Sequence, residues 1–130
     1  MRYREFREMV DTRGGRVFSD WLNDRDVRTQ MEFREKLRTL EETMQPSRDD
    51  LKPLRGKCDD LLEIRLKCKV EKVNYRPIGF YGPGKRQFTI VLIAKMQDDD
   101  FDPPNACKTA QDRRKLVEED PKTSEEVIYE

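Results

Sequence analysis

Cationic side chains with tyrosines among them are the residues of this sequence best suited to chemistry. Arg65, Lys67 and Lys69 alternate with apolar residues, and Tyr75, Arg76 and Tyr81 follow closely. Lys85, Arg86 and Lys95 continue the series. Guanidinium and ammonium groups beside aromatic rings can hold phosphates and stack bases. Residues 52–95 carry eleven bases against four acids in a chain whose formal net charge is zero. A local basic surface attracts phosphate even when the whole protein is neutral. A merely solvated charged face accounts for the pattern equally well. Neighbouring strand residues also point to opposite sides, so Tyr75 and Arg76 share a face only if a bulge intervenes; Pro77 makes such irregularity plausible.

Other chemistries are excluded or disfavoured. The chain has no histidine, which removes Ser-His-Asp and Cys-His catalysis and any histidine base. Proton transfer would fall to Lys, Arg, Tyr, Asp, Glu or Cys. The three cysteines, Cys58, Cys68 and Cys107, lack CxxC spacing; they read as reduced thiols, with Cys68 packed as a small hydrophobe, and no metal site or cofactor is expected. Gly79 to Lys85 matches the GxxxxGK part of a phosphate loop, but Arg86 follows where Ser or Thr would hold magnesium. Such a loop must open a helix, and residues 87–96 read as a strand. The segment Gly82-Pro83-Gly84-Lys85 is therefore a hairpin turn. The acid run Asp98–Asp100 with Asp102 lacks the glycine and terminal glutamate of a calcium loop and reads as an exposed loop.

The elements that must position these residues follow from periodicity. Residues 2–10 are a candidate first strand, punctuated by Gly14-Gly15. Apolar residues at three- and four-residue steps, including Val27, Met31, Phe33, Leu37, Leu40 and Met44, predict helix, and 16–44 together predict a helical hairpin ended by Pro46. Trp21 is expected between helix and sheet. From Leu62 the period becomes two: Leu62, Ile64, Leu66, Cys68 and Val70 face one side and Glu63, Arg65, Lys67, Lys69 and Glu71 the other. Strands over 73–81 and 87–96 complete a meander, the latter apolar on both faces and hence central. A short helix through Ala106, Ala110 and Leu116 closes the domain, and the acidic residues 118–130 read as a frayed tail. The tail is expected to screen the basic surface by intramolecular competition.

The length suits one domain, 1–117, plus the tail. The fold class expected is α+β: a small antiparallel sheet with an N-terminal helical hairpin on one face and a short C-terminal helix. No apolar run approaches a membrane span, and the N-terminus has no secretory h-region. A cytoplasmic location is expected.

Several strings resemble the RelE/ParE superfamily of small toxins, in particular its HigB-like, phage-derived branch. Leu54-Arg55-Gly56 precedes the sheet. Leu62-Glu63-Ile64-Arg65 is similar to the family's L-x-E-I/L-R, and Tyr75-Arg76-Pro77-Ile78-Gly79-Phe80 to its Y-R-V-L-Y/F strand. Ala94-Lys95 resembles its third-strand end, and Ala106–Arg114 its closing helix. The likeness runs from about Val17 to Val117. It implies a toxin of a type II toxin–antitoxin module, a ribosome-dependent endonuclease (mRNA interferase). Its partners would be the ribosome, mRNA and an antitoxin, expected to be a helix-turn-helix protein. By the same resemblance Arg65, Arg76 and Lys95 match family basic positions; Arg65 and Arg76 would stabilise the scissile phosphate, and Lys95 or, on general acid–base grounds, Tyr81 would move the proton of the attacking 2′-OH. Lys67, Lys69, Lys85 and Arg86 would bind RNA. Pro77 and Gly79 depart from the family pattern, as does the neutral total charge. The alternative is a non-enzymatic protein of the same fold, a ParE-like gyrase inhibitor or a diverged phage accessory protein.

Overall fold

The computed structural model describes residues 2–128. Its elements are β1 (Glu5–Met9), α1 (Ser19–Asn23), α2 (Val27–Glu41), β2 (Leu51–Pro53), β3 (Leu62–Ile64), β4 (Leu66–Cys68), β5 (Val73–Tyr81), β6 (Gln87–Gln97), β7 (Asp100–Asp102), α3 (Ala106–Glu119) and β8 (Ser124–Glu126). The class is α+β. The strands form an eight-stranded sheet ordered β2-β3-β5-β6-β1-β8, with β4 beside β5 and β7 beside β6. It is mixed rather than antiparallel, because β1 lies parallel to β6, Glu5 opposite Gln87.

Apolar side chains bury both faces of this sheet. On one, Phe18, Leu22, Phe33, Leu37 and Leu40 from the α1–α2 region pack with Phe6, Ile64, Leu66, Cys68, Phe88 and Ile90. On the other, Ala106, Ala110 and Val117 of α3 pack with Ile78, Phe80 and Val91. The α2 stripe is narrower than the apolar residues suggest: Val27, Met31 and Met44 are exposed. Met31 lies two positions, about 200°, from Phe33 around the helix, so the two cannot face one core. α3 is fourteen residues long, longer than the short helix expected, and buries Val117 while Leu116 is exposed.

Strand β6 joins the two clusters through a bulge. Ile78 pairs with Leu92 but Gly79 with Ile90, leaving Val91 as the extra residue. The bulge reverses the side-chain parity, so Phe88 and Ile90 face one core while Leu92 and Ala94 face the other. A β-carbon at Gly79 would sit 2.3 Å from the Thr89 carbonyl oxygen, which is why this position is glycine. The bulge carbonyl, Val91 O, accepts a hydrogen bond from Arg113 Nη1 at 2.8 Å.

Three further expectations change. The acidic segment from residue 118 is, as far as 128, part of the domain. Residues 118–119 finish α3, β8 pairs antiparallel with β1, and Val127 is buried; residues 129–130 lie outside the described residues. The expected loop at 98–102 turns tightly at Asp98 and Asp99, both at positive φ, and returns as β7 against the end of β6. Cys58 and Cys107 are joined in a disulfide that ties the 56–58 turn to α3, whereas reduced thiols were expected; the two residues flank the same core, so packing brings them together. Cys68 is free and buried. No described helix is long and apolar enough to cross a membrane.

Candidate nucleic-acid interface

The alternation along β5 decides where its functional candidates go. Tyr75 belongs to the α1–α2 core, and Ile78 and Phe80 to the α3 core. Arg76 therefore points to the α3 side and Tyr81 to the α1–α2 side. Lys95 is the register partner of Tyr75 and shares its side. Tyr81 is six residues beyond Tyr75, about 20 Å along the strand. The four residues expected to cleave RNA are thus divided between two faces, and the two proton-transfer candidates lie at opposite ends of β5.

Arg76 and Glu63 are both buried on the α3 side, with Arg76 Nε 2.8 Å from Glu63 Oε2. The contact is an ion pair, and Glu63 Oε2 accepts no hydrogen bond. Burial raises the Glu63 carboxyl above its ordinary value, against the pull of Arg76, Arg65 and Lys52. Burial also lowers Arg76. Because the folded state favours protonated Glu63, stability falls as pH rises from 4.5 through the raised value. Glu63→Gln cannot ionise. The stability of this variant relative to wild type therefore increases from pH 4 to pH 7 in urea unfolding. A difference that does not change with pH removes this account.

Arg65, Lys67 and Lys69 line a groove of about 460 Å³ between α2 and β4. Lys36 is a fourth base there, but Glu32, Glu35, Asp49 and Asp50 oppose it, and Lys36 Nζ is 2.6 Å from Asp50 Oδ1. The groove is charge-balanced and offers a polyanion no net attraction.

Lys95 enters a smaller cavity of about 220 Å³ with Trp21, Arg25, Tyr75, Ile93 and Asp102. Trp21 and Tyr75 meet edge to face at 4.9 Å, and the Arg25 guanidinium lies 5.2 Å from the Trp21 ring centre. Glu71 braces this wall, accepting from Tyr75 Oη at 3.0 Å and Thr29 Oγ1 at 2.6 Å and lying 4.0 Å from Arg25 Nη1. Burial raises the Tyr75 phenol, so it stays neutral. Lys95 Nζ is 3.7 Å from Asp102 Oδ2.

The remaining candidates, Lys85 and Arg86, occupy the β5–β6 turn and line a pocket of about 430 Å³. The parallel pairing of β1 with β6 brings Arg2 and Arg4 into the same wall. Glu5 N donates to Arg86 O at 2.7 Å, fixing the approach. The turn is closed by Gly82 N to Gln87 O at 2.7 Å and Gly84 N to Gln87 Oε1 at 2.9 Å. Arg4 is buried, donating to Leu40 O, Thr43 O and Met44 O at the C-terminal end of α2, where a cation complements the helix dipole. Its Nε donates to Tyr81 Oη at 3.2 Å; the exposed Tyr81 itself lines a neighbouring pocket with Asp59, Asp60 and Arg114. Among the described residues Glu5 is the sole carboxylate lining the Lys85–Arg86 pocket. At the rim Arg2 meets Glu126 at 3.4 Å and Glu41 at 3.5 Å.

Arg2 and Arg4 escaped sequence reasoning because nothing local links them to residue 85. The dense Arg2-Tyr3-Arg4 start was the available signal. In comparisons with known proteins, no family model, curated protein or solved structure matches the chain.

Proposed function

We propose that this protein binds single-stranded RNA, and that it acts by binding rather than by cleavage. The observation that carries the reading is the pocket at the β5–β6 turn. There Arg2 and the buried Arg4 meet the exposed Lys85 and Arg86 from a segment far away in sequence; Glu5 lines the pocket, Glu41 and Glu126 meet Arg2 at its rim, and exposed Tyr81 is bonded to Arg4. Cations that follow a phosphate backbone beside an exposed ring are the elements of sequence-tolerant single-strand binding. The dispersal of Arg65, Arg76, Lys95 and Tyr81 favours the non-enzymatic alternative over the endonuclease.

The element order of strand, two helices, antiparallel meander and closing helix supports a RelE/ParE-like reading. In that reading α1 and α2 are the family's helical hairpin, ribosome-bound mRNA is a natural source of the strand, and an antitoxin is the natural inhibitor.

Fluorescence anisotropy with a labelled ten-nucleotide RNA tests the binding, and primer extension on cellular transcripts after induction tests for cleavage. Binding that weakens steeply with salt and leaves transcripts intact is expected. No affinity at low salt refutes the reading, and discrete cleavage restores the endonuclease.

The same assay reads the β8 carboxylate at the rim. Glu126 competes with phosphate for Arg2, so Glu126→Gln tightens RNA binding. An exposed pair of this kind is worth about 0.2–1 kcal/mol, and one additional phosphate contact steepens the salt slope by about 0.7. The expected gain is therefore about 1.4- to fivefold at low salt. Unchanged affinity means that β8 does not screen the pocket.

A further inference from the structure

The cavity around Lys95 is built differently from the basic pocket and suits a different part of a nucleic acid. Each of its two lining cations has a carboxylate within 4.0 Å: Arg25 has Glu71, which lies behind the wall, and Lys95 has Asp102 at the mouth. A phosphate entering would meet no surplus of positive charge, so a neutral ligand fits better. Its volume, about 220 Å³, is below the roughly 300–1,000 Å³ of sites for larger molecules and matches a single heterocycle. Trp21 and Tyr75 supply an aromatic wall and Arg25 a guanidinium plane, both surfaces on which unstacked bases rest. At the mouth, half-exposed Lys95 and Asp102 place a donor and a two-oxygen acceptor side by side. Their 3.7 Å separation is longer than a hydrogen bond, so both keep bonding capacity for a ligand.

We infer that this cavity receives one flipped-out nucleobase and that the base is guanine. The guanine Watson–Crick edge presents O6, N1–H and N2–H in a row. Lys95 donates to O6, and the Asp102 carboxylate accepts from N1–H and N2–H. Adenine reverses the first position, and uracil has only one ring N–H on this edge. The inference rests on the single-stranded RNA reading for the source of the base, and it adds a specificity element to a binder otherwise indifferent to sequence.

Trp21 is the sole tryptophan, so the tryptophan fluorescence comes from the wall of this cavity, where the ring also packs on Phe18 and Phe33. The full chain is titrated with guanosine, adenosine, cytidine and uridine, nucleosides that have no phosphate and so do not engage the Lys85–Arg86 pocket. Saturable quenching by guanosine is expected, with adenosine, cytidine and uridine weaker by roughly fivefold or more, as base-edge pairs discriminate. Asp102→Asn offers one acceptor and one donor in place of two acceptors and erases the preference. Lys85→Ala with Arg86→Ala leaves the titration unchanged. The inference is overturned by no saturable response to any nucleoside, by equal responses to all four, by a preference for another base, or by a guanosine preference that survives Asp102→Asn. The RNA-binding reading fails separately, when the ten-nucleotide strand does not bind.

Discussion

Glu8→Ala lowers the unfolding free energy by about 3–5 kcal/mol, as expected when a buried, bonded charge is removed from its partners. Glu8 is fully buried in β1. Its Oε1 accepts from Phe18 N at 2.9 Å and Ser19 N at 2.7 Å, and its Oε2 accepts from Ser19 Oγ and from Arg16 Nε at 3.2 Å. These amides open α1, whose first turn lacks a side-chain cap of its own. A five-residue helix cannot sustain itself by propensity. The carboxylate from the strand closes the amides a helix start leaves open and meets the positive end of the helix dipole. Alanine strands two amides and a hydroxyl and takes one partner from Arg16, which keeps Glu125 and the Glu126 carbonyl. Global stability is typically about 5–15 kcal/mol, so the loss is a large share and displaces Phe18 and Trp21 from the core. Urea unfolding measures it. Ser19→Ala, which deletes one bond, costs about 1 kcal/mol by comparison. A Glu8→Ala loss no larger than that shows that Glu8 does not anchor α1.

Glu8 also marks how far the sequence can be read. Local periodicity identifies Phe33, Leu37 and Leu40 as one helical stripe, and Ile64, Leu66 and Cys68 as one strand face. It identifies the 82–86 turn by its Gly-Pro-Gly string, and the central strand by its unbroken apolar run. It does not reveal that a glutamate in a strand of alternating charges is buried, because the donors around Glu8 come from residues 16–19 folding back over it. Nor does it reveal the Val91 bulge, which reverses parity midway along β6.

The candidate site was legible in kind and not in grouping. Alternation marks Arg65, Lys67 and Arg76 as strand cations, but their neutralising partners come from other elements. Glu63 meets Arg76 across the β3–β5 pairing, and the acids of α2 and residues 49–50 border the Lys67–Lys69 groove. Lys85 and Arg86 gain their companions only through the parallel seating of β1 on β6. A surplus of charge along the chain therefore does not establish a surplus of charge in space. The span 52–95 is strongly basic as a string, yet seven of its eleven cations are divided among a balanced groove, a cavity whose cations are paired, a buried pair and one basic pocket.

Lys85→Ala combined with Arg86→Ala weakens single-stranded RNA binding by about 25-fold at 0.1 M salt. Each phosphate contact on a single strand contributes about 0.7 to the slope of log affinity against log salt. Losing two contacts lowers that slope by about 1.4, which is about 25-fold at 0.1 M and vanishes as salt approaches 1 M. Both side chains are exposed on a turn whose backbone is closed by Gly82, Gly84 and Gln87, so alanine leaves the fold intact and the comparison reads binding alone. Lys67→Ala with Lys69→Ala is the matched control. It also removes two exposed cations, but from a groove that four carboxylates already balance, and it changes the slope little. Anisotropy titrations at several salt concentrations separate the two. Equal losses from both pairs would mean that the strand responds to total charge rather than to the pocket. A larger loss from Lys67 and Lys69 would move the interface to the α2–β4 groove. The slope is the decisive quantity, because an affinity change without a slope change signals altered packing, whereas a shift near 1.4 counts the phosphates that Lys85 and Arg86 hold.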